Sequence, residues 1–375
     1  MFFKNARIFT PDFQFQMGSF EVTDDGRFGP VQTSAPEDAL DLQGATVIPG
    51  LVDIHIHGAM GADFSDGDPA GLQAMARYLA RNGITAFAPT SMTMPYEALE
   101  NAFAAARQLA DAQKSGCARL LGIHMEGPYF SQKKKGAQNE AYLKHPDIAG
   151  FRQLYDGCQG LIRIVDIAPE LPGADAFIRE ASQLCTVSVA HTDSGYEDAQ
   201  AAFTAGATHL THLFNAMPGI HHRNPGVIPA AAENEAVRAE LICDGLHVHP
   251  ASVRLAFRLF GPERLVLISD ALRCCGMEDG QYSLGGQTVT LSGGIAKLPD
   301  GTIAGSATNL LQGMRNAMAF GIPEAAAIRA ATWNPACAMG AQDRIGSIAE
   351  GKTADFLICS PDYRSIQVYM AGKPL

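Results

Sequence analysis

The 375-residue chain has no dense stripe of Lys and Arg, and its formal net charge is −11. A nucleic-acid partner needs a basic face to meet its phosphates, so that class is disfavoured. The one basic cluster, Lys133-Lys134-Lys135, reads either as a solvated loop or as an attractor of an anionic substrate. No apolar run reaches the roughly 18 residues of a membrane span. The segment Met1–Thr10, broken by Lys4 and Arg7, lacks the continuous apolar stretch of a secretory signal. None of the eight cysteines forms a Cys-x-x-Cys pair, which argues against a zinc-thiolate site. The expectation is reduced thiols in a cytoplasmic protein. No Gly-x-Gly-x-x-Gly follows the first strand candidate, which counts against a doubly wound nucleotide-binding sheet.

What is present points to a large folded core. Hydrophobic residues make up 47% of the chain and charged residues 18%, a balance far from that of disordered chains. Eight short apolar runs read as strands: Thr46–Ile56, Thr85–Pro89, Arg119–Met125, Leu161–Ile167, Thr186–Ala190, Thr208–Leu213, Ala239–Cys243 and Leu265–Ser269. Several are apolar throughout, as strands covered on both faces are. Helical patterns alternate with them. In Pro69–Asn82, Leu72, Met75, Ala76 and Leu79 fall at i, i+3, i+4 and i+7, and Gly83 follows as a stop. Tyr96–Gln113, Tyr196–Ala205 and Pro250–Phe260 read the same way.

This alternation predicts an α/β chain, a (β/α)8 TIM barrel over residues 49–345. The ends differ from the middle. Residues 1–48 and 346–375 carry short strand patterns, such as Phe356–Cys359 and Ser365–Tyr369, between turn signals. They are expected to form one small β-sandwich domain beside the barrel. Arg273–Gly305 is Gly-rich and hairpin-like, with strands expected at Ser283–Gly286, Thr288–Leu291 and Pro299–Thr302. It reads as an excursion over the barrel mouth or as a structural hairpin.

The histidines carry the chemistry, since most stand at or just past the end of a strand candidate, where a barrel builds its active site. In Asp53-Ile54-His55-Ile56-His57, alternation along a strand throws both imidazoles to one side, where they can grip one metal. Glu126 leaves the third strand in His124-Met125-Glu126-Gly127-Pro128, and a carboxylate there needs a cation or donor. His191 closes the fifth strand and His212 the sixth. With Glu126 they make a two-nitrogen, one-oxygen ligand set with room for water and substrate. His209 reads as a packing or supporting residue. Asp270 closes the eighth strand, across the mouth from His55, where it can take a proton from water.

These motifs together resemble the amidohydrolase superfamily. More narrowly, the chain is similar to its deacetylases of N-acetylated amino-sugar phosphates. The resemblance is carried by His124–Pro128, Lys134-Lys135-Gly136-Ala137, Ala190-His191-Thr192, Thr211-His212-Leu213-Phe214-Asn215-Ala216-Met217, Arg223-Asn224-Pro225-Gly226, Asp244-Gly245-Leu246-His247-Val248, Ser269-Asp270-Ala271 and Ala304-Gly305-Ser306. It implies Glu126, His191 and His212 as ligands of a principal divalent metal (zinc, iron, manganese or cobalt). It also implies a second ion on His55 and His57, bridged by Glu126, giving one or two ions per subunit. Asp270 and His247 become the catalytic pair. Arg223 becomes the phosphate ligand, supported by Asn215, the Ala216 backbone and Gln138, with Arg223 reaching either its own site or a neighbour's across a homodimer. Gln138 departs from the pattern, since many relatives have His there. The galactosamine epimer, another amidohydrolase reaction and a non-catalytic barrel are the competing expectations.

Overall fold

The apolar runs alternate with helices because each parallel strand needs a crossover to return to the same edge of the sheet. In the computed structural model, which describes residues 1–112 and 115–375, they become the staves of a barrel. The strands are Leu51–Ile56, Ile84–Ser91, a third in two pieces (Arg119–Leu120 and Ile123–Met125), Ile162–Ile167, Thr186–Val189, His209–Leu210, Arg238–Ile242 and Leu265–Ile268. Each pairs in parallel with its neighbour in chain order. The last strand meets the first through backbone bonds: Asp270 N–H donates to the His55 carbonyl at 2.9 Å and His57 N–H to the Ala271 carbonyl at 2.9 Å. The seam therefore closes at the end of the barrel that carries the histidines.

The first helix spans Pro69–Arg81, capped by the Asp68 carboxylate on the amides of Ala70 and Gly71, with Leu72, Met75, Ala76 and Leu79 buried. The second runs Tyr96–Ala112; the expected last residue, Gln113, lies outside the described residues. Tyr196–Ala205 and Pro250–Phe260 are helical as expected. Among the described residues, no helix is long and apolar enough to cross a membrane.

Three expected strands need correction. The run Thr46–Ile56 is two strands, not one: Thr46–Pro49 belongs to a separate sheet and Leu51–Ile56 to the barrel. Gly50 is the joint, and a Cβ there would stand 2.1 Å from Thr85 Oγ1, so only glycine lets the chain pass. The sixth barrel strand ends at Leu210 rather than Leu213, because the backbone soon turns left-handed at His212, φ 31°. Within the insertion, the strands are Gly280–Leu284, Gln287–Ser292 and Ile295–Lys297. The expected strand at Pro299–Thr302 is a turn, as Pro299-Asp300-Gly301 favours. This small sheet packs Leu284, Val289, Leu291 and Ala296 against Met92, Leu272 and Ala304, which seats it on the barrel mouth.

The separate sheet takes strands from both ends of the chain. Its order is Lys373–Pro374, Ile366–Met370, Phe356–Cys359, Thr46–Pro49, Phe2–Phe9, Phe15–Val22 and Phe28–Gln32, with Leu40–Asp41 beside Phe2–Phe9. The sandwich is one continuous sheet curled on itself. Phe28 N–H donates to the Lys352 carbonyl at 2.8 Å and Gly351 N–H to the Phe28 carbonyl at 2.8 Å. The Phe28 and Phe356 rings are 5.8 Å apart although three strands separate their own. Phe3, Phe20, Phe28 and Phe356 fill the inside, each aromatic pair adding about 0.5–1.5 kcal/mol beyond its area.

Candidate metal centre and substrate cavity

Most site residues sit at or just past the end of a barrel strand, and the turn there aims them inward. His191 (φ 44°), His212 (φ 31°) and Asp270 (φ 47°) all take the left-handed backbone conformation, which non-glycine residues adopt at a cost and which clusters at functional sites. Ala304-Gly305-Ser306 lies against Asp270: Ser306 N–H donates to the Asp270 carbonyl at 2.7 Å, and a Cβ on Gly305 would come within 2.5 Å of that oxygen.

Glu126 is the hub. Its Oε1 stands 3.2 Å from His191 Nε2, 3.1 Å from His212 Nε2 and 3.6 Å from His55 Nε2. Its Oε2 stands 3.4 Å from His57 Nε2 and accepts from Gln138 Nε2 at 2.6 Å. Asp270 Oδ1 faces the other side of the strand-one pair, 3.2 Å from His57 Nε2 and 3.6 Å from His55 Nε2. The five expected ligands and Asp270 thus form one buried cluster.

The rings fit a divalent cation, and their outer nitrogens say why. His57 Nδ1 donates to the Thr90 carbonyl at 3.1 Å, His191 Nδ1 to the Lys134 carbonyl at 2.8 Å, and His55 Nδ1 to Glu240 at 2.8 Å. With Nδ1 protonated, each neutral ring points an Nε2 lone pair at a carboxylate, an arrangement that calls for positive charge between them. His55 Nε2 is buried with no hydrogen-bond partner at all. The carboxylates' demand also shows in the rings' proton affinity. Burial pulls His57 and His212 down, yet the bond to Asp270 for His57 and to Glu126 for His212 lifts both to about 9. A metal meets the same demand, and nitrogen and oxygen donors of this kind suit zinc, iron, manganese or cobalt. Glu126-His191-His212 and Glu126-His55-His57 are each close enough for one ion.

A second polar layer lies beneath, and most of it went unseen in the sequence. Glu240 and Asp166 are wholly buried. Glu240 takes His55 Nδ1, His209 Nε2 at 3.1 Å and the His212 amide at 3.3 Å. Asp166 takes His124 Nε2 at 2.9 Å and Thr211 Oγ1 at 3.0 Å. His55, His124 and Glu240 also lie close enough together for an ion, but bonds within the protein already engage them. Burial would push Glu240 up, but His55 and His124 hold it well below the usual carboxylate range. Burial pulls His124 down, but Asp166 raises it to about 10. Asp53 is pushed up to about 6 by burial. The available signal was a lone acid inside an apolar strand, as in Ala239-Glu240-Leu241 and Val165-Asp166-Ile167; such an acid needs a partner.

Above the cluster opens a cavity of about 240 Å³, lined among others by Gln138, Asn215, Ala216, His247, Asp270 and Gly305. His247 is held on both ring nitrogens: Nδ1 to Asp244 at 2.6 Å and Nε2 to the Ala304 carbonyl at 2.8 Å. Two acceptors favour the charged ring, and Asp244 raises His247 against the lowering by burial. Asn215 Nδ2 donates to the carbonyls of His212 and Leu213, each at 3.3 Å. Arg223 is brought to none of this. It is exposed and does not line the cavity.

A model described as amidohydrolase family matches residues 46–375. The N-acetylglucosamine-6-phosphate deacetylase of Bacillus subtilis (strain 168) is 38% identical over 358 residues, covering 93% of this chain and 90% of that protein. The N-acetylgalactosamine-6-phosphate deacetylase of Escherichia coli is 35% identical over 348 residues, covering 92% and 90%. A solved Asp-to-Ala mutant of the N-acetyl-D-glucosamine-6-phosphate deacetylase from Mycobacterium smegmatis, in complex with N-acetyl-D-glucosamine-6-phosphate, superposes with a TM-score of 0.92 at 35% identity. The match covers 100% of this chain and 98% of that one. The expected superfamily and barrel are both met, and this chain belongs to the amidohydrolase family.

Proposed function

We propose that this chain hydrolyses the acetamide of N-acetylglucosamine 6-phosphate to glucosamine 6-phosphate and acetate, in amino-sugar catabolism and recycling. The observation that carries the reading is Asp270 facing the Glu126-centred histidine cluster at the floor of a cavity, in a chain whose relatives bear deacetylase names along nine-tenths of its length. Glu126, His191 and His212, and His55 with His57, would hold one or two divalent ions, which when bound would supply Lewis acidity and lower the pKa of a water to about 7. Asp270 supplies the base. Burial pushes its carboxyl up, but His55 and His57 hold it below its ordinary range, so it is ionised at neutrality. It takes the proton as the water oxygen bonds to the acetyl carbon, then returns it to the nitrogen as the C–N bond breaks. His247, anchored by Asp244 through Nδ1, turns its Nε2–H from the Ala304 carbonyl to the acetyl oxygen as negative charge develops there.

The substrate's phosphate is assigned to Arg223, with Asn215, the Ala216 backbone and Gln138 around the sugar. Arg suits a phosphate because its fork donates two bonds at once. Its exposure outside the cavity supports a homodimer in which Arg223 serves the neighbouring subunit's site. Eight free thiols support a reducing, cytoplasmic setting. The second reading is the galactosamine epimer, favoured by the Escherichia coli relative. Acetate release from the two epimeric 6-phosphates tests the choice. We expect a higher kcat/KM for the glucosamine form. A higher value for the galactosamine form establishes the second reading, and release from neither overturns the deacetylase.

A further inference from the structure

We infer that Glu240 is a positioning residue for the second ion, acting through His55. The inference rests on the two-ion reading of the site.

Glu240 comes from the seventh barrel strand and is wholly buried. It does not itself line the cavity. Its Oε2 accepts His55 Nδ1–H at 2.8 Å and the backbone N–H of His212 at 3.3 Å, while Oε1 accepts His209 Nε2–H at 3.1 Å. One carboxylate therefore grips the side chain of a second-ion ligand and the backbone of a first-ion ligand.

The consequence for His55 follows from the imidazole itself. A ring that donates from Nδ1 keeps a lone pair on Nε2, and a ring that accepts at Nδ1 carries a hydrogen on Nε2. Only the first can ligate through Nε2. His55 Nε2 is the buried, unpartnered atom that lies 3.6 Å from both Glu126 Oε1 and Asp270 Oδ1. Its counterparts His57 and His191 take their tautomer from backbone carbonyls, which no side-chain substitution removes. His55 takes it from Glu240. The second position is thus the one whose ligand tautomer depends on a single replaceable side chain.

The test uses the full-length protein with two variants, Glu240→Met and Glu240→Gln. Glu240→Met fills the space without an acceptor. Glu240→Gln keeps one acceptor oxygen and removes the charge. Ions per chain are counted by mass spectrometry after dialysis in each case. The manganese-loaded protein is examined by electron paramagnetic resonance, where two ions sharing a carboxylate give a spin-coupled signal. Wild type should hold two coupled ions. Glu240→Met should hold one uncoupled ion, with its metal-free melting temperature lowered by the buried donors it leaves unpaired. Glu240→Gln should bind the second ion about 10- to 100-fold more weakly and the first as wild type does. If Glu240→Met does not fold, Glu240→Gln decides alone. Two tightly held ions in the folded variants, or equal loss of both ions, overturns the role of Glu240. A single ion in wild type overturns the two-ion reading itself, and the inference with it.

Discussion

Asp270 and Arg223 carry the sharpest single-residue expectations. Asp270→Asn keeps the shape and removes the base, so kcat should fall by about 10²- to 10⁴-fold while metal content and substrate binding stay near wild type. Full turnover in that variant would remove Asp270 from proton transfer. Arg223→Ala should lower kcat/KM for the phosphorylated sugar by about 10- to 100-fold, mainly through KM, since a hydrogen bond to a charged group contributes about 1.5–3 kcal/mol. Unphosphorylated N-acetylglucosamine should feel little of this, and equal losses on both sugars would detach Arg223 from the phosphate. The inner ring of the site was legible from the sequence because its signals are local. His55 and His57 are two apart at the end of a strand, and His191, His212 and Asp270 follow apolar runs. Glu240 and Asp166 were not, because their partners His55 and His124 come from strands far away in the chain, and only folding brings them together.

At the scale of elements, helices were the easier inference. The helix Pro69–Arg81 announces its start with Asp68-Pro69 and its buried face by spacing, all within one segment. Strands depend on neighbours, so Thr46–Ile56 read as a single run although its halves pair with different sheets. An ion pair also ties the terminal sheet to a helix around the barrel. Arg7, on a strand of the terminal sheet, forms a two-bonded contact with Glu324 on the helix Glu324–Ala331, at 2.9 and 2.7 Å, and Tyr363 also donates to Glu324. The pair is about one-third exposed, so Glu324→Gln should cost only about 0.5–1 kcal/mol at neutral pH. The sign of its pH dependence is fixed. The bond from Arg7 lowers Glu324 from 4.5 in the folded state, so the stabilisation is present above that value and is lost as pH falls through the lower folded pKa. Melting temperatures of wild type and variant should therefore differ at pH 7 and converge as pH falls through the lowered pKa of Glu324. A gap that persists in acid would show that the contact does not act through charge.

For the whole molecule, a metal held by the Glu126 cluster would also act as a structural clamp. The residues that could hold it come from the first, third, fifth and sixth barrel strands and loops, so removing it would release four elements at once. Dialysis against a chelator should lower the melting temperature, and adding back metal to a hundredfold above its Kd should restore about 2.7 kcal/mol. An unchanged melting curve would mean that the ions do not bind the folded state in preference to the unfolded. The curled terminal sheet has a consequence for how the protein is made. Phe3, Phe20 and Phe28 leave the ribosome well before Phe356, which packs against all three. At about 5–20 residues per second, that aromatic face waits on the order of tens of seconds for its cover. A nascent chain interrupted between the barrel and Phe356 would carry that aromatic face uncovered, which makes the strand Phe356–Cys359 the one that closes it.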